Sequence, residues 1–222
     1  MGHVFTIAWK DLRSELRTKE SINAAAAFSM VILVLFSFVL DISGDARDFG
    51  GGLLWLVFAF AGALVLNRSF AREQSNDCLD ALVASPLPGW ALFLGKAIAN
   101  FALLGIVELV ALPVFGILFN ANWLRFPAWT LLTCALATWG MTVIGTMFSA
   151  LTVNLRLREL MLPVLVYPML IPVLMAAMQL TTALLVGEGI TAEDWIWVKL
   201  LIGFDIIFTS LSLALIDFIL VS

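Results

Sequence analysis

Six apolar runs, at roughly 22–40, 50–67, 97–119, 128–152, 159–183 and 197–221, govern what this chain can fold into. Each is at or near the ~20 residues that a helix needs to cross the hydrocarbon core of a bilayer. No water reaches the backbone there, so every run must satisfy its own N–H and C=O groups, and each exceeds the length of a tilted barrel strand. The predicted fold is an all-α integral membrane protein with six transmembrane helices. The 222 residues then leave no room for a separate soluble domain, and 1–222 reads as a single transmembrane domain. Composition agrees: 62% of residues are hydrophobic and 13% charged, with mean hydropathy +1.05, where soluble domains run at about 45–50% and about 25%.

Orientation follows from the twelve Lys and Arg residues. Lys10, Arg13, Arg17, Lys19, Arg68, Arg72, Lys96, Arg156 and Arg158 fall before span 1, between spans 2 and 3, or between spans 4 and 5, whereas only Arg47, Arg125 and Lys199 fall on the other side. The positive-inside rule therefore predicts that both termini are cytoplasmic. The charges ahead of span 1 are unlike a cleavable signal peptide, so the first span is expected to direct insertion. Within residues 3–20, Val4, Phe5, Ala8, Leu12 and Leu16 recur at helical spacing opposite Lys10, Arg13, Arg17 and Lys19, and Trp9 suits the headgroup region. This predicts an amphipathic helix lying on membrane lipid, with a solvated tail as the alternative.

The longest polar connection on the predicted cytoplasmic side spans 68–96. Within its 75–88 stretch, Asn76 or Asp77 can cap a short helix carrying Leu79, Leu82 and Val83, and Ser85-Pro86-Leu87-Pro88 ends it. Two helical turns are marginal alone, which implies a covering partner, either another protein or the membrane surface. In span 5, Pro163, Pro168 and Pro172 each remove a helix hydrogen bond, so a kinked or broken helix is expected. Such a helix is either a moving, substrate-facing element or a static kink packed between neighbours. Small residues at Ala24–Ala27, Ala59, Gly62, Ala63, Gly140 and Gly145 allow close helix approach.

Several chemistries are excluded by what the chain lacks. Its only histidine is His3, so neither a Ser-His hydrolase site nor a bis-histidine haem or zinc site can be built within one chain. Cys78 and Cys134 form no CxxC motif. Gly89–Ala97 departs from the phosphate-loop spacing and carries Ala97 where Ser or Thr would hold magnesium. There is no basic patch for nucleic acid. No cofactor is expected to bind this chain directly, and any ATP hydrolysis must come from another polypeptide. Three carboxylates lie inside apolar runs: Glu108, Asp205 and Asp217. Charge there is costly, so Glu108 and Asp205 are candidates for lining a pathway or for a hydrogen-bonded structural role, while Asp217 can reach the interface.

The stretch Trp9-Lys10-Asp11-Leu12-Arg13-Ser14-Glu15-Leu16-Arg17-Thr18-Lys19-Glu20, followed by Leu35-Phe36-Ser37-Phe38, resembles the opening of the haem exporter protein B family, CcmB. So do Gly51-Gly52-Leu53-Leu54-Trp55 and Leu66-Asn67-Arg68-Ser69-Phe70-Ala71-Arg72-Glu73. Leu79-Asp80-Ala81-Leu82 with Ser85-Pro86, Leu94-Gly95-Lys96 with Asn100, Glu108-Leu109 with Pro113, and Arg156-Leu157-Arg158-Glu159-Leu160 with Pro163 to Pro172 extend the likeness over nearly the whole chain.

The resemblance implies an ABC-2 type permease subunit of the bacterial inner membrane, acting in cytochrome c maturation. It implies a separate ABC ATPase subunit that carries the ATP, haem-handling membrane proteins and a periplasmic haem chaperone as partners, haem handled by the complex, and a homodimer of permease subunits. In such permeases the N-terminal helix and the loop between spans 2 and 3 contact the ATPase. That makes Asp77, Leu79, Asp80, Leu82, Ser85 and Pro86 the coupling candidates. The alternatives are an ABC-2 permease for another lipid-like or drug substrate, a non-translocating membrane scaffold, and an ion-coupled secondary transporter using Glu108 and Asp205.

Overall fold

The structure is a computed structural model and describes residues 2–39, 45–69, 88–152, 158–187 and 189–221. These form seven α-helices: α1 (Gly2–Thr18), α2 (Glu20–Val39), α3 (Asp45–Leu66), α4 (Gly89–Leu118), α5 (Pro127–Thr152), α6 (Arg158–Val186) and α7 (Trp195–Val221). A 3-10 turn at Trp123–Arg125 precedes α5. Six helices, α2 to α7, are long and apolar enough to cross a membrane, which is the all-helical, six-span architecture that the apolar runs predict.

The spans do not share the interior equally. α3 and α5 are mostly buried, whereas α2, α6 and α7 present broad apolar faces outward. Outward residues such as Val31, Leu35 and Phe38 on α2, or Ile206, Ile207 and Phe218 on α7, are well exposed on the chain and suit hydrocarbon as solvent. The main core gathers Trp55 and Phe58 of α3, Phe115 of α4, Met141 and Ile144 of α5, Val173 of α6, and Leu201 of α7. Close approach at glycine sets this packing. A Cβ at Gly51 would collide with the Thr182 hydroxyl and lie 2.7 Å from the Met178 carbonyl oxygen, so the α3 backbone rests directly on α6. One at Gly145 would collide with the Leu66 side chain, fixing α5 against α3.

One boundary and one expected alternative for span 5 differ from the sequence reading. The expected third span begins at 97, but α4 begins at Gly89 behind an extended Pro88. Its 30 residues reach about 45 Å at 1.5 Å per residue, beyond a hydrocarbon core of about 30 Å. The added turns carry Trp90, Leu92 and Phe93; the last two are buried and supply a wall for another helix. On α6, a break was one expected outcome of Pro163, Pro168 and Pro172, yet the helix runs unbroken from Arg158 to Val186 with all three inside it. A span tolerates each proline when neighbouring helices enclose the freed backbone, and Leu162, Val166, Leu170 and Val173 hold α6 in the main core.

On the face opposite α1, the α4–α5 and α6–α7 links meet. Gly187 has φ +92, and Arg125 occupies the place its Cβ would take, so only glycine suits both the backbone and the contact. Asp194 fastens the start of α7 by accepting the Thr191 N–H at 2.9 Å and the Thr191 hydroxyl at 2.8 Å.

Gly51→Ala is expected to lower the detergent unfolding midpoint by an amount corresponding to about 1–3 kcal/mol of overpacking. Gly105→Ala, whose Cβ meets nothing within 4 Å, leaves it unchanged. Thermal melts of the two variants check the contrast.

Candidate functional site

α1 divides into three stripes. Ile7, Ala8 and Glu15 are buried, and Asp11 shares their side; Phe5, Trp9 and Leu16 are exposed; Lys10, Arg13 and Arg17 are exposed on the remaining side, with the Lys10 ammonium reaching back to Asp11. The sequence reading assigns the apolar stripe to lipid and overlooks the inward one, because Asp11 and Glu15 look like solvent residues. The inward stripe packs on the early turns of α4. Gly95 permits this, since a Cβ there would fall 2.7 Å from the Ile7 Cβ and 3.1 Å from the Val4 carbonyl oxygen. Ile7 joins Leu92 and Phe93 of α4, Val143 and Ala150 of α5, and Ile216 of α7 in an apolar cluster at this end of the bundle.

A polar cluster lies beside it. Lys96, only 1% exposed, donates from Nζ to Asp11 Oδ2 at 3.1 Å and to the Ser69 carbonyl at 2.8 Å. Asn100, one turn along α4, donates from Nδ2 to the Ser69 hydroxyl and to the Thr146 hydroxyl of α5, each at 2.9 Å. An amide nitrogen has two donors, and here both have partners. Four segments therefore meet: α1, the end of α3, the start of α4, and α5. Asp11 also receives Lys10 at 3.1 Å, while Arg68 reaches Glu20 at 2.6 Å on the surface.

The turn between α1 and α2 is fixed separately. Lys19 takes a left-handed conformation, φ 55, and Glu15, 3% exposed, accepts the Ser21 N–H at 2.7 Å. A carboxylate at the first turn of α2 meets unpaired amides and the positive end of the helix dipole. The angle between α1 and the first span is thereby set.

Deeper in the bundle, the two carboxylate candidates differ. Glu108 of α4, 6% exposed, accepts a hydrogen bond from the Thr138 hydroxyl of α5. Asp205 of α7, 7% exposed, has neither oxygen hydrogen-bonded among the described residues. Its Oδ1 lies 2.8 Å from where a Gly140 Cβ would be, so Asp205 sits in a notch that glycine opens in α5. The structure does not bring the two carboxylates together; they face α5 at Thr138 and Gly140. Trp55 donates to Thr181 at 2.9 Å and Trp139 to Thr209 at 3.1 Å, tying α3 to α6 and α5 to α7.

The coupling candidates Asp77, Leu79, Asp80, Leu82, Ser85 and Pro86, with most of the 75–88 stretch, lie outside the described residues. Pro163, Pro168 and Pro172 lie on α6, and Pro163 lines a small apolar cleft with Ala59, Ala63, Met141 and Tyr167. His3 is exposed on α1, and Cys134 is buried and unpaired. Among the described residues, no three His, Cys, Asp or Glu side chains gather as a metal site would require. The sequence reading misses Thr138 and Thr146. It meets Lys96 only as orientation charge and family likeness, and Ser69 and Asn100 only as family likeness, because polar side chains in helices announce no partner on another helix.

Six packed spans with an amphipathic helix docked on one end define a multi-pass membrane protein. The profile of the CcmB protein family matches residues 2–218. The chain is 31% identical over 187 residues to heme exporter protein B of Rhodobacter capsulatus, covering 83% of this chain and 84% of that protein. It is 30% identical over 166 residues to heme exporter protein B of Paracoccus denitrificans, covering 74% and 76%. For heme exporter protein B of Bradyrhizobium diazoefficiens the figures are 31% over 180 residues, covering 80% of each. The chain belongs to the CcmB family.

Removing one member of a buried ion pair costs about 3–5 kcal/mol when the other charge stays buried. Asp11→Ala takes a carboxylate from the buried Lys96 ammonium, which keeps the Ser69 carbonyl, and is expected to cost part of that loss. Lys96→Met leaves only the part-exposed Asp11, still beside Lys10, and is expected to cost less. Chemical unfolding in detergent, read by tryptophan fluorescence, gives the order.

Proposed function

We propose that this chain is the permease subunit of an ATP-driven complex for cytochrome c maturation in the bacterial inner membrane, with the α1 end of the bundle in the cytoplasm. The observation that carries the reading is the family match over residues 2–218, made by a chain with six spans and a buried anchor for its N-terminal helix. The likeness to proteins called heme exporter protein B supports haem, or a haem-loaded chaperone, as what the complex handles. A separate ABC ATPase supplies the energy, since the sequence has no phosphate-binding loop. It docks on α1 and on the 75–88 stretch that holds Asp77, Leu79 and Leu82. Haem-handling membrane proteins and a periplasmic haem chaperone complete the assembly, and two permease subunits face two ATPases.

Purification from native membranes tests this directly. An ABC ATPase and haem-handling proteins are expected to accompany the chain, and their absence would sink the reading. Asp80→Lys with Leu82→Pro is expected to abolish ATPase retention and leave the membrane-inserted chain intact.

A second reading, an ion-coupled carrier, is favoured by Asp205, a buried carboxylate without a hydrogen-bond partner among the described residues. It expects activity that follows a proton gradient without ATP and is lost in Asp205→Asn. Reconstituted vesicles, energised by either ATP or a gradient, separate the two.

A further inference from the structure

Ser69, after α3, and the early turns of α4 flank the 70–87 stretch on its two sides in the chain. The polar cluster joins those sides twice. Lys96 donates to the Ser69 carbonyl and Asn100 to the Ser69 hydroxyl. The same ammonium holds Asp11 of α1, and the same amide holds Thr146 of α5. α1, Ser69 and the early turns of α4 are therefore fastened to each other before any partner binds. Around the cluster, Gly95 lets α1 close on α4 and the Ile7, Phe93 and Val143 packing fills the remaining space. A buried ammonium with a carboxylate on one helix and a carbonyl on another does not tolerate sliding of either, because separation would leave charge in a low-dielectric site.

We propose that Lys96 is a positioning residue that makes α1, the turn at Ser69 and the start of α4 one rigid block, and that Asn100 transmits the displacement of this block to α5. This deepens the permease reading and rests on it. An ATPase pressing on α1 then moves the start of α4 in the same stroke, and α5 carries the movement to the level of Thr138 and Gly140, where Glu108 and Asp205 meet it. If the block were not rigid, α1 could yield alone and ATP hydrolysis would be spent without moving the spans.

The test uses the full complex with its co-purified ATPase and haem-loaded chaperone, reading chaperone released per ATP hydrolysed alongside ATPase retention. Lys96→Met is expected to retain the ATPase while release per ATP falls about tenfold, within the usual range of coupling between sites. Lys96→Arg, which keeps a charged donor for Asp11 and Ser69, restores most of the ratio. A purely architectural role would lower the amount of complex without changing the ratio. Asn100→Leu leaves the ion pair in place, separates α5 from the cluster, and is expected to lower the ratio by a smaller factor. It also serves as the deciding variant should Lys96→Met fail to assemble. An unchanged ratio in whichever variant assembles overturns the proposal while leaving the permease reading standing. Failure of the unaltered chain to retain any ATPase would instead overturn the permease reading.

Discussion

The ammonium of Lys96 in the early turns of α4 is the contact on which the arrangement of the α1 face depends. Burying it is costly, and Asp11 and the Ser69 carbonyl offset that cost while they stay within reach. That condition turns an amphipathic helix, which could drift along a lipid surface, into one with a fixed seat. The exposed Arg68–Glu20 pair has no comparable effect, since solvent screens it and either side chain can swing away. Glu15 complements Lys96 by fixing the angle at which α1 meets the first span. Between them, one basic and two acidic side chains give the N-terminal segment both its position and its direction.

Helix α5 links this face to the membrane interior. It receives Asn100 through Thr146, Glu108 through Thr138, and Asp205 at the Gly140 notch. Interhelical hydrogen bonds of this kind contribute about 0.6–2 kcal/mol each in membranes, enough to select a register without locking it. Glu108 has Thr138 as a partner, whereas Asp205 of α7 has no hydrogen-bond partner among the described residues and rests in the Gly140 notch of α5.

The spans were legible because lipid makes length and apolarity nearly sufficient. Residues 128–152 and 197–221 read as spans and form α5 and α7 within a few residues. The third span was read short because Lys96 interrupts the apolar pattern, whereas in the fold that charge is neutralised by a residue 85 positions away. Nothing local signals such a pair. The same reasoning applies to Glu108: the sequence marks it as unusual, but Thr138 is one threonine among several in α5 until the helices are packed. Proline chemistry was legible at Pro163, Pro168 and Pro172 as lost hydrogen bonds, and the continuity of α6 was not, since it depends on the neighbours that enclose it.

The docking of α1 has a consequence for the order in which the protein is made. α1 leaves the ribosome before α4, and its seat, from Leu92 to Asn100, is synthesised only after two further spans. Until then Asp11 lacks its partner on α4, and the helix must wait at the membrane surface while α2 and α3 enter. Lys96 arrives as a charged residue at the leading edge of the third span and gains the Asp11 carboxylate when that waiting helix closes on it. The insertion of α4 and the closing of the N-terminal segment are thus one event, and its completion marks the moment at which the chain acquires a finished face for a partner.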